Sequence, residues 1–241
     1  MSLPRVVVVD DDAAIRRLVE LALEGLPIEL VPCASAPAAR AVLREREAAL
    51  LITDLMMPGE TGVDLLRSLQ ADAGLRGSAR LAVFSAGLDP ARRAELQALG
   101  VWRLLDKPVS TLALEACVCD ALGLEADAGV DAPPVPADDD ADAQAAAAHF
   151  GGDMALFRAF RDGCLAQFPL DRAAGDAAVA TGDGAALRRV AHNLKSVLRL
   201  LGLEPASRLA ARLEQAAADA DAVTAHALWA SLRDELPRPP G

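Results

Sequence analysis

An α/β doubly wound, five-stranded parallel sheet followed by an all-α helical bundle is the architecture this 241-residue sequence predicts. Three observations lead there. Over residues 1–123, short continuous apolar runs alternate with helix-period patterns, as strands buried on both faces alternate with crossover helices. Over 143–236 every stretch has helical period, punctuated by Gly, Pro and Asp. Between them, residues 124–142 are Pro-rich and hold seven acids, no base and no periodicity, so they read as an extended, self-repelling linker. Residues 237–241 are left as a C-terminal tail.

The elements follow in order. Residues 6–9, four valines, form the first strand, and Ile15, Leu18, Val19 and Ala22 recur at helical spacing before Gly25 stops them. Further strands are predicted at 28–31, 50–53, 81–84 and 101–105, with helices near 35–47, 62–72, 89–99 and 109–122. In the second half Asp153 caps a helix carrying Met154, Phe157, Phe160, Cys164 and Phe168, which Pro169 is expected to interrupt. Residues 181–184 punctuate, a clean helix runs over 185–201, Gly202 ends it and Pro205 opens the next; a last helix covers 222–236. Amphipathic helices joined by short loops predict an antiparallel four-helix bundle.

Composition narrows the function. Hydrophobic residues make up 53% and aromatics 3%, so the core is mostly Ala, Leu and Val. The net charge of −11 belongs mostly to the acidic linker, and no basic stripe suits a phosphate backbone, so nucleic acid is not an expected partner. Cys33, Cys117, Cys119 and Cys164 form no CxxC pair and no zinc-like spacing with the histidines; they read as small packing residues in a reducing cytoplasm. Neither a signal peptide nor a stretch of membrane-spanning length is present, so a cytoplasmic protein with no membrane insertion is expected.

Among 24 basic residues only two are lysines, Lys107 and Lys195, and both stand in motifs with candidate reactive groups. Asp10 and Asp11 follow the first strand, Asp54 the third, Ser85 ends the fourth and Lys107 the fifth. A doubly wound sheet gathers these strand ends on one edge. Clustered carboxylates there make a hard oxygen site for Mg²⁺, beside which a carboxylate can attack a phosphoryl group. Each piece alone also has a plainer use: aspartates cap helices, Asp54 suits a turn, and Lys107-Pro108 suits a loop start, with or without a cis bond.

Val8-Val9-Asp10-Asp11-Asp12, Thr53-Asp54-Leu55-Met56-Met57-Pro58-Gly59 with Gly62 after it, Ser85-Ala86 and Lys107-Pro108 together resemble a two-component receiver domain, a flavodoxin-like fold. The resemblance implies that Asp54 is the phosphoacceptor. It also implies Mg²⁺ held by Asp11, Asp54 and the Met56 carbonyl, with Asp10 acting through water, and phosphoryl contacts from Ser85 and Lys107. Where that family usually carries an aromatic switch residue, three positions before the lysine, this chain has Leu104.

On the helix 185–201, Leu187, Val190, Ala191, Leu194, Val197, Leu198 and Leu201 form a core stripe. His192 lies off it, with Arg188, Lys195, Ser196 and Arg199 as helical neighbours, so an outward, cation-ringed imidazole is expected. Such cations favour neutral imidazole, a nucleophile, and would stabilise a phosphoryl group on it. Ala191-His192-Asn193-Leu194-Lys195-Ser196 with Leu200-Leu201-Gly202, Phe150-Gly151-Gly152-Asp153, Gly182-Asp183 and Leu213-Glu214 resembles a histidine-containing phosphotransfer (HPt) domain. This implies that His192 carries phosphate and Lys195 assists; Ser196 replaces the family's usual glycine.

The two resemblances imply a phosphorelay protein, not an enzyme with turnover beyond the receiver's own phosphorylation and dephosphorylation. Its partners would be a sensor histidine kinase and other receiver domains. Two other readings stay open: phosphorylation of Asp54 gating His192 without internal transfer, and a Mg²⁺-dependent phosphatase.

Overall fold

Five strands form the parallel sheet that the apolar runs predict, in the order β2-β1-β3-β4-β5. The computed structural model describes residues 3–85, 88–125 and 141–238, which fall into two units. In the first, β1 (Arg5–Val9), β2 (Glu29–Cys33), β3 (Leu50–Asp54), β4 (Arg80–Ser85) and β5 (Val101–Asp106) alternate with helices. These are α1 (Ala13–Ala22), α2 (Ala36–Glu45), α3 (Gly62–Ala71), the single turn α4 (Ala73–Arg76), α5 (Pro90–Ala98) and α6 (Thr111–Leu122). β2 runs through Pro32, beyond the expected 28–31; as an edge strand it tolerates the missing N–H. The periodicity does not anticipate α4, which is too short to carry a pattern.

Alternation along the strands loads both faces of the sheet. Val7, Val9, Leu51, Leu81 and Val83 pack with α2 and α3 residues such as Ala39, Leu43, Leu65 and Leu66. Val6, Val8, Leu50, Ile52, Ala82 and Phe84 face Val19 of α1 and Leu114, Cys117 and Val118 of α6. Each such Val, Leu, Ile or Phe side chain contributes roughly 1.5–3 kcal/mol by leaving water. The register pairs Val9 with Thr53, Asp54 with Phe84 and Ser85 with Asp106, which brings the carboxyl ends of four strands level. Strand order reverses between β1 and β3, the place where such sheets open a crevice.

The second unit contains α7 (Ala141–His149), α8 (Met154–Thr181), α9 (Gly184–Leu200), α10 (Glu204–Ala218) and α11 (Ala222–Glu235). The last four are the expected bundle; α7 starts within the segment expected to be linker. Residues 126–140, most of that segment, lie outside the described residues. Asp153, Asp183 and Asp221 cap α8, α9 and α11, and Gly202, at φ 72°, ends α9.

Pro169 does not interrupt its helix as expected: α8 runs unbroken for 28 residues. The proline is exposed, while Phe157, Phe160, Cys164 and Phe168 before it and Gly175 and Ala178 after it are buried. Packing on both sides of the proline outweighs its lost hydrogen bond, a cost of about 3 kcal/mol. Gly175 lets α11 approach closely, since a Cβ there would lie 2.1 Å from the Trp229 ring. All four cysteines are buried. Among the described residues no helix is long and apolar enough to cross a membrane.

Candidate functional site

The level strand ends bring Asp10, Asp11 and Asp54 together, with a carboxylate oxygen of each within 4.8 Å of the others. Asp10 and Asp54 are buried. Lys107, after β5, reaches back to both: its Nζ lies 3.1 Å from Asp10 Oδ2 and 3.0 Å from Asp54 Oδ1. The Lys107–Pro108 bond is cis. Asp12 does what a lone aspartate there would do, accepting from Ala14 N–H to cap α1, so only Asp10 and Asp11 join the cluster.

The electrostatics are lopsided. Burial pushes Asp10 up to about 6, with Lys107 opposing and Asp54 adding to the shift. Burial would discharge Lys107, but the carboxylates of Asp10 and Asp54 outweigh it and hold the ammonium above its ordinary value. Three carboxylates therefore face one cation. Asp54 Oδ2 is buried with no hydrogen-bond partner, although Asp54 Oδ1 is held by Lys107. A hard, oxygen-only, negatively charged donor set of three clustered carboxylates fits Mg²⁺.

The backbone beneath Asp54 is tightly built. Thr53 Oγ1 donates to the Asp54 carbonyl at 2.9 Å, and a Cβ on Gly62 would lie 1.9 Å from that same oxygen. Only glycine lets α3 begin this close to the end of β3. Met56 lies half-buried in the loop after Asp54. Ser85 ends β4 opposite Asp106, its side chain outside the described residues. Leu104, in the switch position, is partly buried against the core.

In the bundle the structure corrects the sequence reading. His192 is not on a wet face ringed by cations; it is 4% exposed, and its partner is a carboxylate. Its Nδ1 lies 2.7 Å from Glu214 Oε1, while Lys195 Nζ donates to Glu214 Oε2 at 2.5 Å. The stripe of α9 faces the bundle interior, but α10 packs along its flank and covers His192 as well. Ser207 Oγ of α10 donates to the Lys195 carbonyl at 2.9 Å, fixing that pairing. Ser196 is also buried.

Glu214 is the residue that sequence reasoning quoted without a role. Its signal was present: an acid beside Leu213 on the apolar side of a helix. Burial would raise its pKa, but hydrogen bonds from His192 and Lys195 pull it down to about 2. An ionised carboxylate can only accept, so the imidazole donates to it from Nδ1–H. Nε2 is buried without a hydrogen-bond partner.

An acid–lysine crevice on a doubly wound sheet and a buried histidine in a helical bundle are the two candidate sites. Comparison with known families agrees. Residues 6–118 match the response regulator receiver domain and residues 159–238 the Hpt domain. The chain thus carries a receiver domain followed by an Hpt domain.

Among curated proteins it is 35% identical over 71 residues to the DNA-binding response regulator MtrA of Mycolicibacterium paratuberculosis, covering 30% of this chain and 32% of that one. It is 33% identical over 129 residues to the transcriptional regulatory protein FixJ of Azorhizobium caulinodans, covering 53% and 59%. The chain thus spans from about a third to three-fifths of these relatives. Among solved structures, a response regulator receiver protein from Pseudomonas putida is 31% identical, covers 51% of this chain and 98% of its own, and has a TM-score of 0.45.

Proposed function

We propose that Asp54 and His192 are the two phosphoacceptors of a relay. The observation that supports this most directly is a coincidence of orphans: Asp54 Oδ2 and His192 Nε2 are buried, unpartnered, and each is the atom that would bond to phosphorus. In the first step Asp54 Oδ2 attacks the phosphorus of a sensor histidine kinase's phosphohistidine. A P–O bond forms, the P–N bond breaks, and the imidazole departs with the electron pair. Lys107 pairs with the phosphoryl oxygens, and Ser85 would hydrogen-bond them.

Asp11, Asp54 and the Met56 carbonyl would hold Mg²⁺, with Asp10 acting through water. When bound, the ion supplies charge neutralisation at the transferring group. Asp10 and Lys107 keep the crevice charged around it. With a small phosphodonor such as acetyl phosphate, the same attack breaks that donor's P–O bond and releases acetate, so the receiver would catalyse its own phosphorylation; water attacking the aspartyl phosphate would reverse it.

In the second step His192 Nε2 attacks an aspartyl phosphate, on Asp54 or on another protein's receiver. The P–N bond forms and the carboxylate leaves. Glu214 orients the ring through Nδ1–H and stabilises the positive charge that the imidazole gains. Lys195 balances Glu214 and assists the incoming phosphoryl group. With Nε2 buried, transfer requires the imidazole to turn outward as the partner docks.

Labelling by acetyl phosphate with Mg²⁺ tests the assignments. Asp54→Ala should lose the label and His192→Gln should retain it. Loss in the His192 variant alone would overturn the receiver assignment.

A further inference from the structure

The loop after Asp54 is closed at its neck and held at its tip by separate contacts. At the neck, Gly62 N–H donates to the Leu55 carbonyl at 3.2 Å, and Thr61 and Asp64 form a reciprocal cap on α3. Met57 anchors the middle in the core. At the tip, Glu60 is joined to α2. Arg40 Nη1 donates to Glu60 Oε1, and Nη2 to Oε2 at 2.6 Å. Among the described residues, Arg40 supplies the side-chain hydrogen bonds that tie 55–60 to another element.

A two-pronged guanidinium–carboxylate pair fixes orientation as well as distance. Both side chains are partly exposed, at 19% and 28%, and such pairs contribute little to stability. Their effect is on where the loop lies. The strands fix Asp10 and Asp54 directly, but Met56 stands in the loop, where only the loop's own anchors can place its carbonyl. A small ion that demands near-octahedral geometry is sensitive to that placement.

We propose that Arg40 is a positioning residue for the Mg²⁺ site: by clamping Glu60 it holds the loop whose Met56 carbonyl completes the donor set. This rests on Asp11, Asp54 and Met56 being the metal donors. A purely electrostatic role makes a different prediction. Arg40→Met removes a positive charge and would tighten Mg²⁺ binding, whereas Glu60→Gln removes a negative one and would weaken it. Loss of position weakens binding in both.

The test is calorimetric titration of Mg²⁺ alone into the full chain, with thermal unfolding in the absence of Mg²⁺ as the check on folding. Arg40→Met and Glu60→Gln should each bind about tenfold more weakly, the lower end of what losing an outer hydrogen-bond partner costs a metal site. The swap Arg40→Glu with Glu60→Arg should recover most of that loss. Should Arg40→Met not fold, Arg40→Lys carries the same expectation, because it keeps the charge and loses the fork. Unchanged affinity, or opposite shifts in the two single variants, overturns the positioning role alone. Failure of the wild type to bind Mg²⁺, or binding by Asp54→Ala as tight as the wild type's, overturns the metal assignment and this proposal with it.

Discussion

The two sites use the same three parts, a lysine, a carboxylate and an orphaned acceptor atom, in opposite electrical arrangements. In the receiver, Lys107 touches the proposed acceptor, Asp54, and three carboxylates outnumber it. In the bundle, Glu214 stands between Lys195 and His192, and one carboxylate is shared by an ammonium and an imidazole N–H. The first site is therefore left anionic and suited to completion by a divalent cation. The second is balanced by its own side chains. The difference teaches which site should depend on metal and which on a single hydrogen-bonded carboxylate.

Removing Mg²⁺ is the strongest way to break this contrast. Chelation should slow labelling of Asp54 by acetyl phosphate by at least about a hundredfold. Labelling of His192 by phosphoramidate should be unchanged. Metal-independent labelling at Asp54 would erase the distinction between the sites.

The next largest effect lies in the bundle. Glu214 has a folded value of about 2 against an ordinary 4.5, so its stabilising contribution is complete above pH 4.5 and lost as the pH falls toward 2. Glu214→Gln should cost about 1–2 kcal/mol at neutral pH, less than the full shift because solvent still reaches this carboxylate, and the gap to wild type should close on acidification. Acid unfolding followed by circular dichroism measures both. The same variant should slow phosphorylation of His192 and leave Asp54 labelling intact.

Smaller changes sharpen the comparison. Gly62→Ala pushes a methyl group against the Asp54 carbonyl and should cost about 2 kcal/mol, with labelling impaired at Asp54 but not at His192. Trp229→Phe removes an N–H donated to Asp176 at 2.9 Å and should cost about 1 kcal/mol in denaturant unfolding, with both acceptors unaffected.

How much was legible in the sequence follows from the same contrast. The receiver site is assembled from strand ends far apart in the chain, yet each strand announces itself as an apolar run, so Asp10, Asp54 and Lys107 could be placed on one edge without coordinates. The bundle site depends on which flank of α9 meets α10, and helical period cannot supply that. The period alone therefore predicts an exposed His192 and gives Glu214 no role. Pro169 misled for a related reason: propensity is local, and the packing that overrides it in α8 is not. Arg40 and Glu60 gave no signal, because each looks like an ordinary surface charge until α2 and the loop meet.

The central claim, that Asp54 and His192 are successive stations, is tested most directly by transfer from an autophosphorylated sensor histidine kinase. Wild type, Asp54→Ala and His192→Gln would be labelled in Mg²⁺ and the bound phosphate assayed for stability in acid and base. An aspartyl phosphate is lost in base, whereas a phosphohistidine is lost in acid and survives base. The account predicts base-labile label on wild type and His192→Gln, base-stable label on wild type, and no label of either kind on Asp54→Ala. Base-stable label persisting on Asp54→Ala would show that His192 is charged independently of Asp54 and would contradict the relay.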